Sequence, residues 1–137
     1  AEAQHMAAEF LGKFLLERKA LPAMALPANS STVTAIANDY GFSSVFRRQL
    51  EAWATKEDVV IGISTSGNSR NVVEGLKYAK SRGIFTIGLA GGKKCSIEDV
   101  CDLCIKIPSY STPRIQEMHT LVMHTICEEV ETSLAKE

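Results

Sequence analysis

An α/β fold, in which a parallel sheet is doubly wound by helices on both faces, is predicted by three features of this sequence. Helical and strand-like periodicities alternate along it. The run Val59-Val60-Ile61-Gly62-Ile63 is β-branched and apolar on both faces, as a central parallel strand should be. A hydroxyl-rich loop follows that run at once.

Apolar residues Met6, Phe10 and Phe14, with Ala7, Leu11 and Leu15 beside them, recur at helical spacing and predict an amphipathic helix from Glu2 to Arg18. Leu21 to Leu26 is a short apolar stretch beside Pro22 and Pro27 and reads as a strand. Asn29-Ser30-Ser31 suits the cap of a short helix through Ala37, and Ser43 or Ser44 caps a helix reaching Ala54. Beyond the central run, Asn71 to Arg82 places Val72, Val73, Leu76 and Ala79 on one helical face, with Gly83 as the residue that ends it. Ile84 to Ala90 is the next strand, and Gly91-Gly92 opens a loop. Ser96 caps a short helix, Leu103 to Ile107 is a third strand, and Thr112 to about Leu134 is a long last helix.

Composition sets the class. With 45% apolar and 23% charged residues, and no linker, repeat or low-complexity tract, residues 1–137 are expected to form a single domain. The formal net charge is −1 and the fifteen Lys and Arg are dispersed, so no footprint for nucleic acid or an anionic membrane is present. No apolar run approaches the roughly twenty residues that span a bilayer, and the chain reads as cytosolic. Cys101 and Cys104 form a single C-x2-C with no second pair at zinc-ribbon spacing; with Cys95 and Cys127 they read as reduced structural thiols.

The loop Ser64-Thr65-Ser66-Gly67-Asn68-Ser69 lies where an open α/β sheet binds ligands, past the carboxyl end of a strand and before a helix. The first-turn N–H groups of a helix lack intrahelical partners and the dipole is positive there, so an anion is attracted without a lysine. Ser64, Thr65, Ser66 and Ser69 add four hydroxyls, and Gly67 lets the backbone turn closely. A Ser/Gly-rich turn ending in a helix cap is the plainer alternative. Neither G-x-x-x-x-G-K-[ST] nor G-x-G-x-x-G is present, which points to a phosphomonoester and away from a nucleotide.

In this loop the sequence resembles the sugar isomerase (SIS) domain family. Three further segments are similar to its phosphoheptose isomerase branch: Ala3-Gln4-His5-Met6-Ala7-Ala8-Glu9-Phe10, Val33-Thr34-Ala35-Ile36-Ala37-Asn38-Asp39-Tyr40-Gly41, and Thr112-Pro113-Arg114-Ile115-Gln116-Glu117-Met118-His119. The resemblance implies a three-layer α/β/α SIS-type fold, flavodoxin-like and doubly wound. It also implies an N-terminal helix and a first strand ending in an Asn-Gly-Gly-Ser loop, and this sequence opens after that loop, so 1–137 is expected to be a single SIS domain without those two elements.

His5 and Glu9, four apart, share a helix face, as do Gln116 and His124, eight apart. By itself a His/Glu pair at this spacing is more often a surface ion pair, and His119 a packed or surface histidine. The resemblance implies more: residues matching His5, Glu9, Gln116 and His124 bind one zinc per subunit, and those matching Asn38 and Asp39, otherwise a helix C-terminal turn, contact sugar hydroxyls. Together with Glu9 and Gln116, the phosphate-loop residues Ser64, Thr65, Ser66 and Ser69 complete the implied substrate contacts. Aldose–ketose interconversion removes a proton beside a carbonyl, and a divalent metal stabilises the enediolate, with Glu9 and His124 as the acid/base pair. The implied reaction converts D-sedoheptulose 7-phosphate to D-glycero-D-manno-heptose 7-phosphate, in a homotetramer with active sites at subunit boundaries.

Two relatives without catalysis offer rival readings: a platform binding the bacterial replication initiator DnaA, which lacks parts of the metal set, and a sugar-phosphate-sensing module. An isomerase for another sugar phosphate is a third. Retention of Glu9 and His124 favours the enzyme, and the lack of a basic DNA-binding segment disfavours the sensor.

Overall fold

Three apolar runs pair in parallel to make the sheet: β1 (Val59–Ile63), β2 (Phe85–Gly91) and β3 (Leu103–Ile107), in the order β1-β2-β3. The structure, a computed structural model, describes residues 1–134. Ile61 pairs with Ile87 and Ile63 with Leu89, while Leu89 also faces Ile105. This register puts Ile61, Ile63, Ile87, Leu89 and Ile105 on one face, where Met6 of α1 (Glu2–Leu11) and Met123 and Cys127 of α6 (Thr112–Leu134) cover them.

The opposite face carries α4 (Arg70–Ser81) and the single turn α5 (Ile97–Val100), which pack Leu76, Ile97 and Cys101 against Val60, Ala90 and Cys104. Close approach is possible because β2 has Gly88 there: a Cβ at that position would strike Ile97 and come within 3.1 Å of Cys101 Sγ. Outside α4 lies α3 (Val45–Trp53), joined to it through Leu50, Ala79 and Ile84, and α2 (Ser30–Tyr40) rests on α3. Helices thus cover both faces. All four cysteines are free thiols, and among the described residues no helix is long and apolar enough to cross a membrane.

Several expected elements differ. The strand expected at Leu21–Leu26 does not form among the described residues; Pro22 and Pro27 cannot donate to a ladder, Leu21 N–H donates to Phe10 O at 3.0 Å, and Leu26 packs against the α3–α4 cluster. Among the described residues β2 lies between β1 and β3. α2 continues three residues past Ala37 to Tyr40, where Gly41 at φ +83° ends it. Ser44 precedes α3, but its hydroxyl donates back to Tyr40 O.

The largest departure is at the first helix, which stops at Leu11, short of Arg18. Past Gly12 the chain turns so that Phe14 N–H donates to Glu131 Oε1 at 3.0 Å, and Leu15 and Leu16 N–H donate to Oε2 at 2.7 and 2.8 Å. Glu131 lies on α6 and is 1% exposed. Arg18, its side chain 8% exposed, brings Nε to 2.9 Å from Oε1. That N–H is not aimed at the oxygen, so the attraction there is between charges. Burial alone would push the Glu131 carboxyl upward. The N–H groups of Leu15, Leu16 and Phe14 and the Arg18 charge prevail and hold it at about 2, down from the ordinary 4.5.

Two predictions follow from this packing. Gly88→Ala is expected to cost about 1–3 kcal/mol by overpacking against Ile97, read as a lower urea midpoint; an unchanged midpoint contradicts the tight contact. Because the Glu131 carboxyl is depressed on folding, its contribution is complete above pH 4.5 and is lost as pH falls toward 2. Glu131→Gln should therefore be less stable at neutral pH and lose less further stability across that window, measured by urea unfolding at a series of pH values; parallel curves for the two proteins rule this out.

Candidate functional site

Two groups of polar side chains stand out, one built on the sheet and one on the α1–α6 pair. The first is the segment after β1. Ser64 N–H donates to Leu89 O at 3.0 Å and Gly91 N–H donates to Thr65 O at 3.1 Å, so the loop extends the β1–β2 ladder before turning away. Gly67, at φ +65°, makes the turn, and a Cβ there would run into Cys95.

Beyond the turn, Ser69 is the N-cap of α4, yet its side chain makes no capping bond. Its hydroxyl lies 2.8 Å from that of Ser64, which lies 3.4 Å from that of Ser66. Three hydroxyls therefore converge at the positive end of a twelve-residue helix, an arrangement suited to the oxygens of an anion. Thr65 is half-buried beside them. Asn68 holds the outer side of the loop: Ser96 N–H and the Ser96 hydroxyl both donate to its Oδ1 at 2.9 Å, and Ile97 N–H donates to Gly67 O at 3.1 Å.

The second group joins two helices. His5 and Glu9 are one turn apart on α1, with Nε2 and Oε1 3.0 Å apart, and His124 of α6 brings its Nε2 to 3.2 Å from that of His5. The His5 and His124 rings meet edge to face at 4.9 Å, and the Phe14 ring backs His124 at 5.3 Å. His5 and Glu9 are 44% and 24% exposed, so a small ligand can reach them.

The donor atoms of His5, Glu9 and His124 all lie within 4.8 Å of one another. In a tetrahedral zinc site with bonds of about 2.0–2.1 Å, neighbouring donor atoms are about 3.3 Å apart. The observed 3.0 and 3.2 Å are close to that spacing. Two imidazoles and a carboxylate are also a donor set that zinc accepts. The three residues fit a divalent transition metal.

Gln116, Asn38 and Asp39 make no side-chain hydrogen bond to this trio among the described residues. Gln116 is two turns before His124, about 12 Å along the helix axis, and lines a shallow concavity with Ala1, Glu2, Pro113 and Thr120. Asn38 and Asp39 are exposed in the last turn of α2, and no hydrogen bond among the described residues ties them to either group. His119 is fully buried, with Nδ1 4.0 Å from Glu2 Oε1. It is the packed histidine of the two expected alternatives.

Comparison with known proteins places these groups in a family. The SIS domain family matches residues 1–91. The phosphoheptose isomerase of Geobacter sulfurreducens is 57% identical over 98% of this chain and 71% of its own length, and that of Pelobacter propionicus is 54% identical over the same shares. Among solved structures, a phosphoheptose isomerase from Francisella tularensis superposes with a TM-score of 0.91 at 34% identity, and one from Neisseria gonorrhoeae with 0.87 at 40%. Each alignment covers 96% of this chain and 70% of the other.

Sequence reasoning missed the parts that hold both groups in place: Asn68 and Ser96 around the loop, and Arg18, Glu131 and Phe14 around the histidines. One signal was available for Glu131. Ile115, His119, Met123, Cys127 and Glu131 recur every four residues as the buried stripe of α6, so a carboxylate on that stripe demands a partner. The loop's support can be tested directly. Asn68→Ala should speed amide hydrogen exchange at Ser96 and Ile97 by about fivefold, the loss expected for a hydrogen bond worth about 1 kcal/mol; unchanged exchange rules out the brace.

Proposed function

Since the chain belongs to the SIS domain family, and within it to the phosphoheptose isomerases, we infer that it interconverts D-sedoheptulose 7-phosphate and D-glycero-D-manno-heptose 7-phosphate. It is an aldose–ketose isomerase. The observation that carries this mechanism is the meeting of His5, Glu9 and His124 across α1 and α6.

Ser64, Thr65, Ser66 and Ser69 hold the phosphate at the head of α4, which leaves the carbonyl end of the sugar, at the far end of its carbon chain, for the other group. There Glu9 and His124 act as the acid/base pair, taking the proton from C1 and returning it to C2 while protons are exchanged on the two oxygens. Glu9 can combine this with metal binding because a carboxylate has two oxygens, one to ligate and one to carry a proton. His5, Glu9, Gln116 and His124 form the metal set, with one zinc per subunit. When bound, the metal supplies Lewis-acid charge for the oxygens of the reacting carbons.

Asn38, Asp39 and Gln116 serve the sugar hydroxyls. We place the sites at the subunit boundaries of a homotetramer. Exposed apolar residues support assembly: Leu121, 56% exposed, and Met118 lie on α6, and Leu15 and Met24 lie on the segment after α1. The apolar surface of α6 is thus only partly internal. We place the domain in the cytoplasm, feeding heptose to bacterial surface glycans such as lipopolysaccharide.

Glu9→Gln should cut turnover of sedoheptulose 7-phosphate by about a hundred- to ten-thousand-fold. Affinity for inorganic phosphate should be unchanged, and a chelator should abolish wild-type turnover. Assay of aldoheptose phosphate formation decides the matter: wild-type turnover in Glu9→Gln removes the carboxylate from the mechanism, and full turnover in chelator removes the metal.

A further inference from the structure

We propose that Arg18 and Glu131 form a positioning pair for the proton-transfer and metal site, holding α1 at the register on α6 where His5 and Glu9 meet His124. The inference rests on reading those three side chains as part of the metal set.

The contacts join the two halves of that set through the backbone. Arg18 Nη2 donates to the main-chain oxygen of Glu9 itself at 2.8 Å, and Nη1 donates to Phe10 O at 2.9 Å and Gly12 O at 3.2 Å. The guanidinium therefore caps the last carbonyls of α1, the helix that carries His5 and Glu9. Glu131 is on α6 seven residues after His124, two turns along, and it binds Arg18 and the N–H groups of Phe14, Leu15 and Leu16. Phe14 closes the circuit, because its N–H is held by Glu131 and its ring lies against His124.

An ion pair placed anywhere between the helices could add stability. This one is tied to the carbonyl of one proposed ligand and to the ring that backs another. A slip of α1 along α6 would carry His5 and Glu9 together past His124. Metal sites tolerate donor displacements of only about 0.2 Å, and a 1 Å misplacement at reacting groups can cost about a hundredfold. The pair should therefore control metal geometry far more than it controls the phosphate loop, which is held by β2 and by Ser96 and makes no hydrogen bond to Arg18 or Glu131 among the described residues.

The test uses the full-length protein, stripped of metal and reloaded with zinc or cobalt(II). Glu131→Gln keeps the shape and one acceptor oxygen but loses the charge. Arg18→Lys keeps the charge but loses the planar fork that reaches Glu9 O and Phe10 O together. Three quantities are read: metal affinity against a competing chelator, the visible absorption of bound cobalt(II), and affinity for inorganic phosphate. Expected are a tenfold or greater loss of metal affinity and an altered cobalt spectrum in Glu131→Gln, a smaller change of the same kind in Arg18→Lys, and phosphate affinity within twofold of wild type in both.

A wild-type cobalt spectrum and metal affinity in both variants, with only the melting temperature lowered, overturns the positioning role. An equal loss of phosphate affinity also overturns it, as general loosening. Wild-type protein that takes up no metal overturns the underlying metal reading instead, and the pair's role with it. If Glu131→Gln does not fold, Arg18→Lys decides by the same three readings.

Discussion

A carboxylate taken out of water is tolerated only if its charge is balanced and its lone pairs are occupied. Glu131 meets both conditions in an unusual way: three successive N–H groups come from a turn that is neither helix nor strand, and the charge comes from Arg18 on the same segment. Those N–H groups are available because α1 has ended at Gly12. Continued helix through Leu16 would direct them at carbonyls four residues back and leave Glu131 buried with one partner. The early end of α1 and the burial of Glu131 are therefore one constraint, and it fixes where the helix bearing His5 and Glu9 can sit.

The loop after β1 is fixed by different means. Its entry is part of the sheet, through Ser64 and Thr65, and its turn is wedged over Cys95 and tied to α5 through Asn68 and Gly67. Strand pairing and helix packing thus place one group each. Both rest on β2, whose Leu89 and Gly91 hold the loop by backbone contacts while the Leu89 side chain packs under Met6 and Met123.

Much of this was legible in the residues, and the failures share a cause. Periodicity located α4, β1 to β3 and α6 closely because each pattern records burial on a local face, and that is what decides those elements. The hydroxyls of Ser64, Ser66 and Ser69 and the pairing of His5 with Glu9 were legible for the same reason, since the spacings are short. Phe14 and Leu15 continue the helical pattern of α1 faithfully, yet a residue 117 positions from Phe14 captures its N–H and wins. Leu21 to Leu26 has strand-like composition but prolines that cannot donate, and no local pattern says what its neighbours will be. The meeting of His124 with His5 across 119 residues was beyond local spacing too, and only the resemblance to a family put them together.

This division between local and distant determinants bears on function. A loop such as Ser64 to Ser69 needs only a strand, a turn and a helix start, and such a helix start suits an anion, whatever is attached to it. The chemistry we propose for the other end of the sugar needs donor atoms from two helices closely aligned, and in our proposal Glu131 and Arg18, which lie outside the His5, Glu9 and His124 trio, set that alignment. A chain of this fold could keep His5, Glu9 and His124 and still lose the reaction if the turn after α1 slipped.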